Sequence, residues 1–75
     1  MASLPVCSGW EAVAAFERDG WIRNRRRGSH LSMTKLGSIH VLTVPLHREL
    51  DRGTLRSLIR KAGLTVEEFL NLLNP

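Results

Sequence analysis

The spacing of apolar residues changes twice along the chain and divides it into helical ends and a strand-forming centre. Near the amino terminus, Ser8 and Glu11 form the S-x-x-E pattern of a capping box, which predicts a helix ending near Asp19. Gly20 follows as a left-handed terminator. The apolar side of this helix is predicted to consist of Trp10, Ala12, Val13 and Phe16. Residues 1–7 are predicted to form a flexible arm.

Helical spacing returns in the last third of the chain. Leu55, Leu58, Ile59 and Ala62 follow an i, i+3, i+4, i+7 pattern, which predicts a helix capped by Gly53 or Thr54 and ended by Gly63. Thr65 and Glu68 then form a second capping box. It opens a short last helix with an apolar stripe of Val66, Phe69, Leu70 and Leu73, and Leu72 falls outside that stripe.

The centre of the chain is typical of β-strands separated by glycine turns. Strands are predicted at residues 21–26, 29–34 and 39–44, and the richness of the third in β-branched residues favours a central or best-buried position. In the second strand, Leu31 and Met33 share one face, while His30, Ser32 and Thr34 share the other. If the apolar pair faces the core, His30 faces outward.

This order of elements predicts an α+β fold, α-β-β-β-α(-α), in which helices pack on one face of a three-stranded antiparallel sheet. The opposite face is left open, and it is the face on which His30 is placed. A chain of 75 residues is predicted to form a single domain, residues 1–75, with a small core.

Positive charge is concentrated in the middle of the chain. The net charge of +4 arises from a basic central region between acidic ends, and nine of the eleven basic residues are arginine. Arginine favours planar, bidentate recognition of phosphate or carboxylate. The positive patch therefore indicates a nucleic acid or an acidic protein as partner, and a merely solvated surface is the alternative.

Several classes of site and location are disfavoured by the sequence. Cys7 is the only cysteine, which excludes an intramolecular disulfide and a cysteine-rich zinc site. His30, His40 and His47 lie in three segments without metal-ligand spacing, so neither a metal nor a cofactor is expected. No apolar run approaches the roughly 20 residues of a membrane span, and no signal peptide is recognised. We expect a cytoplasmic protein.

His30 is the strongest candidate for chemistry because a glycine turn, Gly28-Ser29, places it beside a basic cluster. A histidine can take a proton from a ribose 2′-hydroxyl or give one to a leaving 5′-oxygen. Nearby cations can bind the phosphate and offset the charge that develops on its oxygens. The candidates for this role are Arg23, Arg25, Arg26 and Arg27, and also Lys35.

Other interpretations remain open at this point. His30 can be a turn residue without a role, His40 a core or edge histidine, and His47 a loop residue that supplies a second proton carrier or an RNA contact. The four large aromatic residues can stack on bases, although their spacing favours the core. A non-catalytic RNA-binding module and a pure interaction protein are the alternatives to an enzyme.

Several short motifs in a fixed order resemble the HicA family of toxins, also called the YcfA-type family. They are G-S-H-L at 28–31, T-V-P-L-H at 43–47, G-T-L at 53–55 and A-G-L at 62–64 followed by E-E-F. The resemblance runs from about Ser8 to Leu73. Many members carry a second histidine directly after the first, where this chain has Leu31.

The resemblance implies a fold similar to double-stranded-RNA-binding domains. It also implies a metal-independent mRNA endoribonuclease that halts translation as the toxin of a type II toxin–antitoxin system. The family's essential histidine falls on His30, and a HicB-type antitoxin is expected to cover the active site.

Overall fold

A computed structural model describes residues 2–75 and confirms the α+β fold. Its helices and strands are, in chain order, α1 (Gly9–Arg18), β1 (Ile22–Arg27), β2 (His30–Thr34), β3 (Leu42–Pro45), α2 (Arg52–Lys61) and α3 (Val66–Leu73). The strands form an antiparallel sheet in the order β1-β2-β3. Within the described residues, no helix is long and apolar enough to cross a membrane. The likeness to double-stranded-RNA-binding domains stays a prediction.

Two of the three helix starts follow the predicted caps. At α1, the Ser8 hydroxyl accepts the Glu11 N–H (3.1 Å) and the Glu11 carboxylate accepts the Ser8 N–H (2.8 Å). Thr65 and Glu68 repeat this reciprocal pair at α3. Both capping boxes are therefore confirmed.

The start of α2 differs from the prediction. The cap is Asp51, not Gly53 or Thr54, and the helix begins at Arg52. The Leu55 N–H donates to the Asp51 carbonyl over 2.9 Å, so the first helical turn already includes Gly53 and Thr54. The apolar stripe starts only at Leu55, three residues after the helix begins. The stripe therefore did not indicate where the helix begins.

The third strand was predicted to be central or best buried, and it is not central, because β2 is the central strand and β3 lies at an edge. Its inward residues Leu42 and Val44 are nevertheless fully buried. β3 is also shorter than expected. Residues 39–41 belong to the β2–β3 connection, and Ile39, His40 and Val41 are exposed. His40 is thus neither a core nor an edge-strand histidine. Ile39 and Val41 are β-branched and so favour a strand prediction, but both side chains are exposed to solvent.

The core lies between one face of the sheet and the helices. Leu31 and Met33 of β2 and Leu42 and Val44 of β3 supply the sheet side, and all four are buried. On the helix side, the rings of Phe16 and Phe69 pack with centroids 5.3 Å apart. The helices α1 and α3 therefore meet through an aromatic pair. Leu72, which the stripe left out, packs against the edge of this core.

The segment before α1 is held to the core and is not the loose arm we predicted. Leu4 and Cys7 are buried, and the Leu50 N–H donates to the Cys7 carbonyl over 2.9 Å. Two buried apolar side chains three residues apart offset the entropy of ordering the segment. Met1 lies outside the described residues.

Cys7 is expected to resist alkylation in the folded protein. Burial, with a smaller contribution from the charge of Glu11, raises the pKa of its thiol from 9.0 to about 11. Iodoacetamide at pH 8 should leave it unmodified until urea is added. Because folding raises this pKa, the contribution of Cys7 to stability is present below about pH 9 and is lost as the pH rises toward 11. In urea denaturation, the free energy of unfolding of Cys7→Ala should lack the part of the decline between pH 9 and 11 that comes from this thiol. Rapid labelling of the native protein by iodoacetamide would contradict the burial of Cys7.

Candidate functional site

His30 is placed by a tight hairpin between β1 and β2. Arg27 pairs directly with His30 across the sheet, so Gly28 and Ser29 form a two-residue turn. Gly28 has a φ of 55°, a conformation that glycine adopts without steric cost. The turn therefore sets His30 as the first residue of β2, at the tip of the hairpin.

The alternation of β2 confirms that His30 faces away from the core. Leu31 and Met33 are buried against the helices, while the side chain of His30 is exposed on the open face of the sheet. Leu31, the position at which the resemblance implies a second histidine, points into the core. Among these two positions, only residue 30 can meet a ligand on the open face.

A second histidine lies beside His30. The rings of His30 and His47 are 6.4 Å apart between centroids and are nearly edge-to-face, at an interplanar angle of 66°. His47 was expected in a loop, as a second proton carrier or an RNA contact, and the loop that follows β3 brings it to the tip of the β1–β2 hairpin. Both imidazoles are exposed, so a ligand can approach the pair from solvent.

Two backbone hydrogen bonds hold the loop that carries His47. The Leu46 N–H donates to the Ser29 carbonyl, which extends the β2–β3 ladder past Pro45, and the Gly9 N–H donates to the His47 carbonyl over 2.9 Å. The first turn of α1 thus touches the loop directly. Gly9 is buried there, and a Cβ atom at this position would overlap the Pro45 carbonyl oxygen.

The pleat of β1 divides the predicted arginine cluster between two faces. Arg25 pairs with Ser32 and Arg27 pairs with His30, so these two arginines share the open face with His30. Arg23 and Arg26 pair with Met33 and Leu31, and their side chains lie on the helix side of the sheet. The register shifts between Arg23 and Arg25, where the strand bulges.

Arg23 and Arg26 therefore do not lie on the face of His30, where we expected them to bind phosphate. Arg23 forms a two-pronged ion pair with Glu17 (3.0 and 3.3 Å), and its guanidinium carbon lies 5.2 Å from the centroid of the Trp10 ring. Arg26 donates to the Gly28 carbonyl over 3.0 Å and lies 5.5 Å from the same centroid. Both guanidiniums therefore lie within cation–π distance of the Trp10 ring, which stays partly exposed.

Lys35 is also engaged elsewhere. Its ammonium pairs with Asp19 over 3.3 Å, and Asp19 accepts the Trp21 indole N–H over 3.2 Å. Lys35 follows His30 by five residues of extended chain, which places their Cα atoms about 16 Å apart. Lys35 therefore contacts the carboxyl end of α1, through Asp19, at the end of β2 away from His30.

Trp10 was predicted to lie on the apolar side of α1, and stacking on a base was only the less favoured alternative. The residue is 42% exposed. Its helical neighbours at i+4 and i+7 are Ala14 and Glu17, so a polar residue already marks this face of the helix. This spacing is the sequence signal that could have indicated that Trp10 is exposed, whereas Val13 and Phe16 are buried.

The ionisable side chains do not assemble into a metal centre. Across residues 2–75, no group of three or more His, Cys, Asp or Glu residues could hold a metal ion. The site thus consists of two imidazoles and two guanidiniums on an open sheet face. Such groups can exchange protons and bind an anion.

Comparison with known proteins finds a matching family model and similar solved structures. Residues 9–64 match the family model of the HicA toxin of bacterial toxin-antitoxin systems. The fold is similar to a chain of a toxin–antitoxin complex from Streptococcus pneumoniae, with a TM-score of 0.66 and 38% sequence identity over 76% of this chain and 97% of that one. No curated protein sequence matches the chain. The matched residues include all three histidines and the whole of β1.

Proposed function

Because the chain belongs to the HicA toxin family of toxin–antitoxin systems, we propose that it is a metal-independent endoribonuclease that cleaves mRNA and so inhibits translation. The observation that carries the proposal is the exposed pair of His30 and His47, 6.4 Å apart, on the face that also bears Arg25 and Arg27. These are the groups needed to move protons at a phosphodiester and to bind its charge.

The reaction that these groups support is an internal transesterification of RNA. One imidazole removes the proton of a ribose 2′-hydroxyl, and the 2′-oxygen attacks the adjacent phosphorus. The bond from phosphorus to the 5′-oxygen breaks, and the leaving oxygen takes a proton from an imidazolium. The products are a 2′,3′-cyclic phosphate and a 5′-hydroxyl, with no metal ion in the proton balance.

His30 is assigned the essential proton transfer, and His47 the complementary one. The base accepts the 2′-O–H and the acid donates its N–H to the leaving oxygen, each over about 2.8 Å, so two imidazoles separated by 6.4 Å can reach different oxygens of one phosphodiester. The anchored loop limits the freedom of His47 before substrate arrives, which favours a productive geometry. Gly28 and Ser29 act only by shaping the turn.

Arg25 and Arg27 are proposed to bind the phosphates beside the reacting bond. Within the described chain neither forms an ion pair, in contrast to Arg23 with Glu17 and Lys35 with Asp19. Their guanidiniums are therefore available to offset the charge that develops on the phosphate oxygens.

Replacing Arg25 and Arg27 together by alanine is expected to weaken RNA binding and to flatten its salt dependence. Each lost phosphate contact with single-stranded RNA should reduce the slope of log K against log salt by about 0.7. Fluorescence anisotropy of a labelled oligonucleotide over a salt series measures this slope. The double variant Arg56→Ala and Arg60→Ala, on exposed positions of α2, has the same charge change and should keep the parental slope. Equal slopes for the two double variants would contradict the assignment.

The partner proposed for this toxin is a HicB-type antitoxin that covers the face of His30. The exposed imidazoles can be blocked by a protein lying across the open sheet face. Mixing the two proteins should therefore suppress cleavage in proportion to the amount of antitoxin added.

The test of the proposed activity is cleavage of RNA by the purified protein in the presence of EDTA. The expected fragments end in a 2′,3′-cyclic phosphate and begin with a 5′-hydroxyl. Tight RNA binding without cleavage under any of these conditions would favour the non-catalytic RNA-binding module. Cleavage that EDTA abolishes would overturn the metal-independent mechanism.

A further inference from the structure

An exposed tryptophan with two arginines lies on the opposite side of β1 from the histidine pair. The guanidinium carbons of Arg23 and Arg26 lie 5.2 and 5.5 Å from the centroid of the Trp10 ring, and Trp10 retains 42% exposure. The other tryptophan of the chain, Trp21, is only 2% exposed and belongs to the core. The Trp10–Arg23–Arg26 cluster is not needed to close the core, since its aromatic member stands outside it.

The charge of this cluster favours an anionic ligand. Glu17 neutralises Arg23, while within residues 2–75 no carboxylate pairs with Arg26. Arg26 donates its Nε–H to the Gly28 carbonyl, which leaves the terminal nitrogens of the guanidinium as further donors. A phosphate can accept from these nitrogens without breaking any contact of the cluster.

The position of the cluster favours the RNA strand that the histidine pair would cleave. Arg26 and Arg27 are consecutive residues on an edge strand, with Arg27 on the His30 face and Arg26 on the Trp10 face. A flexible strand that leaves the His30 face around this edge meets Arg26 and then the indole. Exposed aromatic rings beside arginines stack unpaired bases of any sequence.

We infer that the Trp10–Arg23–Arg26 cluster is a second RNA subsite, which stacks one unpaired base next to the cleavage site while Arg26 binds its phosphate. This inference rests on the proposed ribonuclease function. Tryptophan and arginine also dominate protein–protein interfaces. A protein partner would, however, have to desolvate the Arg26 guanidinium and supply a carboxylate for it, whereas RNA brings a phosphate with every base.

The subsite can be tested with two single-stranded RNA probes in a His30→Ala background, which prevents cleavage during the measurement. One probe is a fluorescein-labelled 12-nucleotide RNA, and the other has the same backbone with abasic residues. Trp10→Ala should weaken binding of the first probe about tenfold and leave binding of the abasic probe unchanged. Trp10→Phe should restore most of the affinity, and Arg26→Ala should weaken the binding of both probes.

Intrinsic fluorescence provides a second readout. Because Trp21 is buried and Trp10 is not, RNA should quench mainly the emission of Trp10 and should protect it from acrylamide. The matched control is Arg56→Ala on α2, which should bind both probes as the parent does. Retained thermal stability of Trp10→Ala would show that any loss of affinity is not a loss of fold.

The outcomes separate this inference from the proposed function. If Trp10→Ala binds both probes like the parent, or loses affinity for both equally, the stacking subsite is wrong while cleavage by the wild type can still stand. If Trp10→Ala keeps its RNA affinity but loses affinity for the antitoxin, the cluster is a protein-binding surface. If the wild type neither binds nor cleaves RNA, the subsite and the proposed function both fail.

Discussion

His30→Ala is expected to abolish RNA cleavage, with a fall in rate of about 10²- to 10⁴-fold, while the protein stays folded. The large effect follows from the proposed role, because the substitution removes a group that transfers a proton at the reacting phosphodiester. The fold should survive because His30 is exposed at the tip of a hairpin and contributes nothing to the core. Single-turnover cleavage of a labelled RNA in EDTA measures the rate, and a thermal unfolding curve verifies the fold.

His40→Ala is the matched control for this experiment. It is the same substitution at another exposed histidine, in the β2–β3 connection. Its cleavage rate should equal that of the wild type. A His30→Ala protein that cleaves as fast as the His40→Ala protein would remove His30 from the mechanism.

The pH dependence of the rate distinguishes one acting histidine from two. With His30 and His47 as base and acid, the wild-type rate should rise and then fall as the pH is raised, because one group must be neutral and the other protonated. His47→Ala should keep one limb of this bell-shaped profile and lose the other. A complete bell in that variant would assign the second proton transfer to another group.

The orientation of His30 could be predicted from the sequence because β2 alternates cleanly. Leu31 and Met33 define a buried face, and a strand residue next to one of them in sequence, such as His30, must point to the other face. The capping boxes of α1 and α3 were equally readable, since each depends on two residues three positions apart. The orientation of His30 and the two capping boxes could be predicted because each depends only on residues that are close in sequence.

The division of the arginines could not be predicted in the same way. All six side chains of β1 are exposed, so no buried residue marks which face is which. The bulge between Arg23 and Arg25 also shifts the alternation of side chains between the two faces, and the sequence does not reveal this shift. The assignment of each arginine to a face came only from its pairing with β2.

The approach of His47 to His30 depends on tertiary contacts between distant parts of the chain. The Leu46 N–H donates to the Ser29 carbonyl and the Gly9 N–H to the His47 carbonyl, and such backbone bonds leave no signature in the side-chain pattern. The one sequence mark is Gly9 itself. A glycine in the first turn of a helix permits a close approach of another segment but does not require one, because Gly53 lies in the first turn of α2 and approaches nothing.

That approach makes Gly9→Ala the substitution with the largest expected effect on stability. A Cβ atom there would overlap the Pro45 carbonyl oxygen and lie 2.8 Å from the Leu46 Cα atom. Both belong to backbone, which cannot rotate away as a flexible side chain can. We expect a loss of about 3 kcal/mol in the free energy of unfolding. In a domain of this size, that loss lowers the melting temperature by roughly 12–24 °C.

Gly53→Ala is the matched control, because Gly53 also lies in the first turn of a helix and a Cβ atom there meets nothing within 4 Å. Alanine at that position should stabilise the protein by about 0.5–1 kcal/mol, since it restricts the unfolded chain more than glycine does. Thermal denaturation of the two variants should thus shift in opposite directions. The cleavage rate of the folded fraction should fall only in Gly9→Ala, because relief of the overlap moves Pro45 and Leu46, and with them His47, away from His30. A Gly9→Ala protein as stable and as active as Gly53→Ala would show that the contact between α1 and the His47 loop does not position the site.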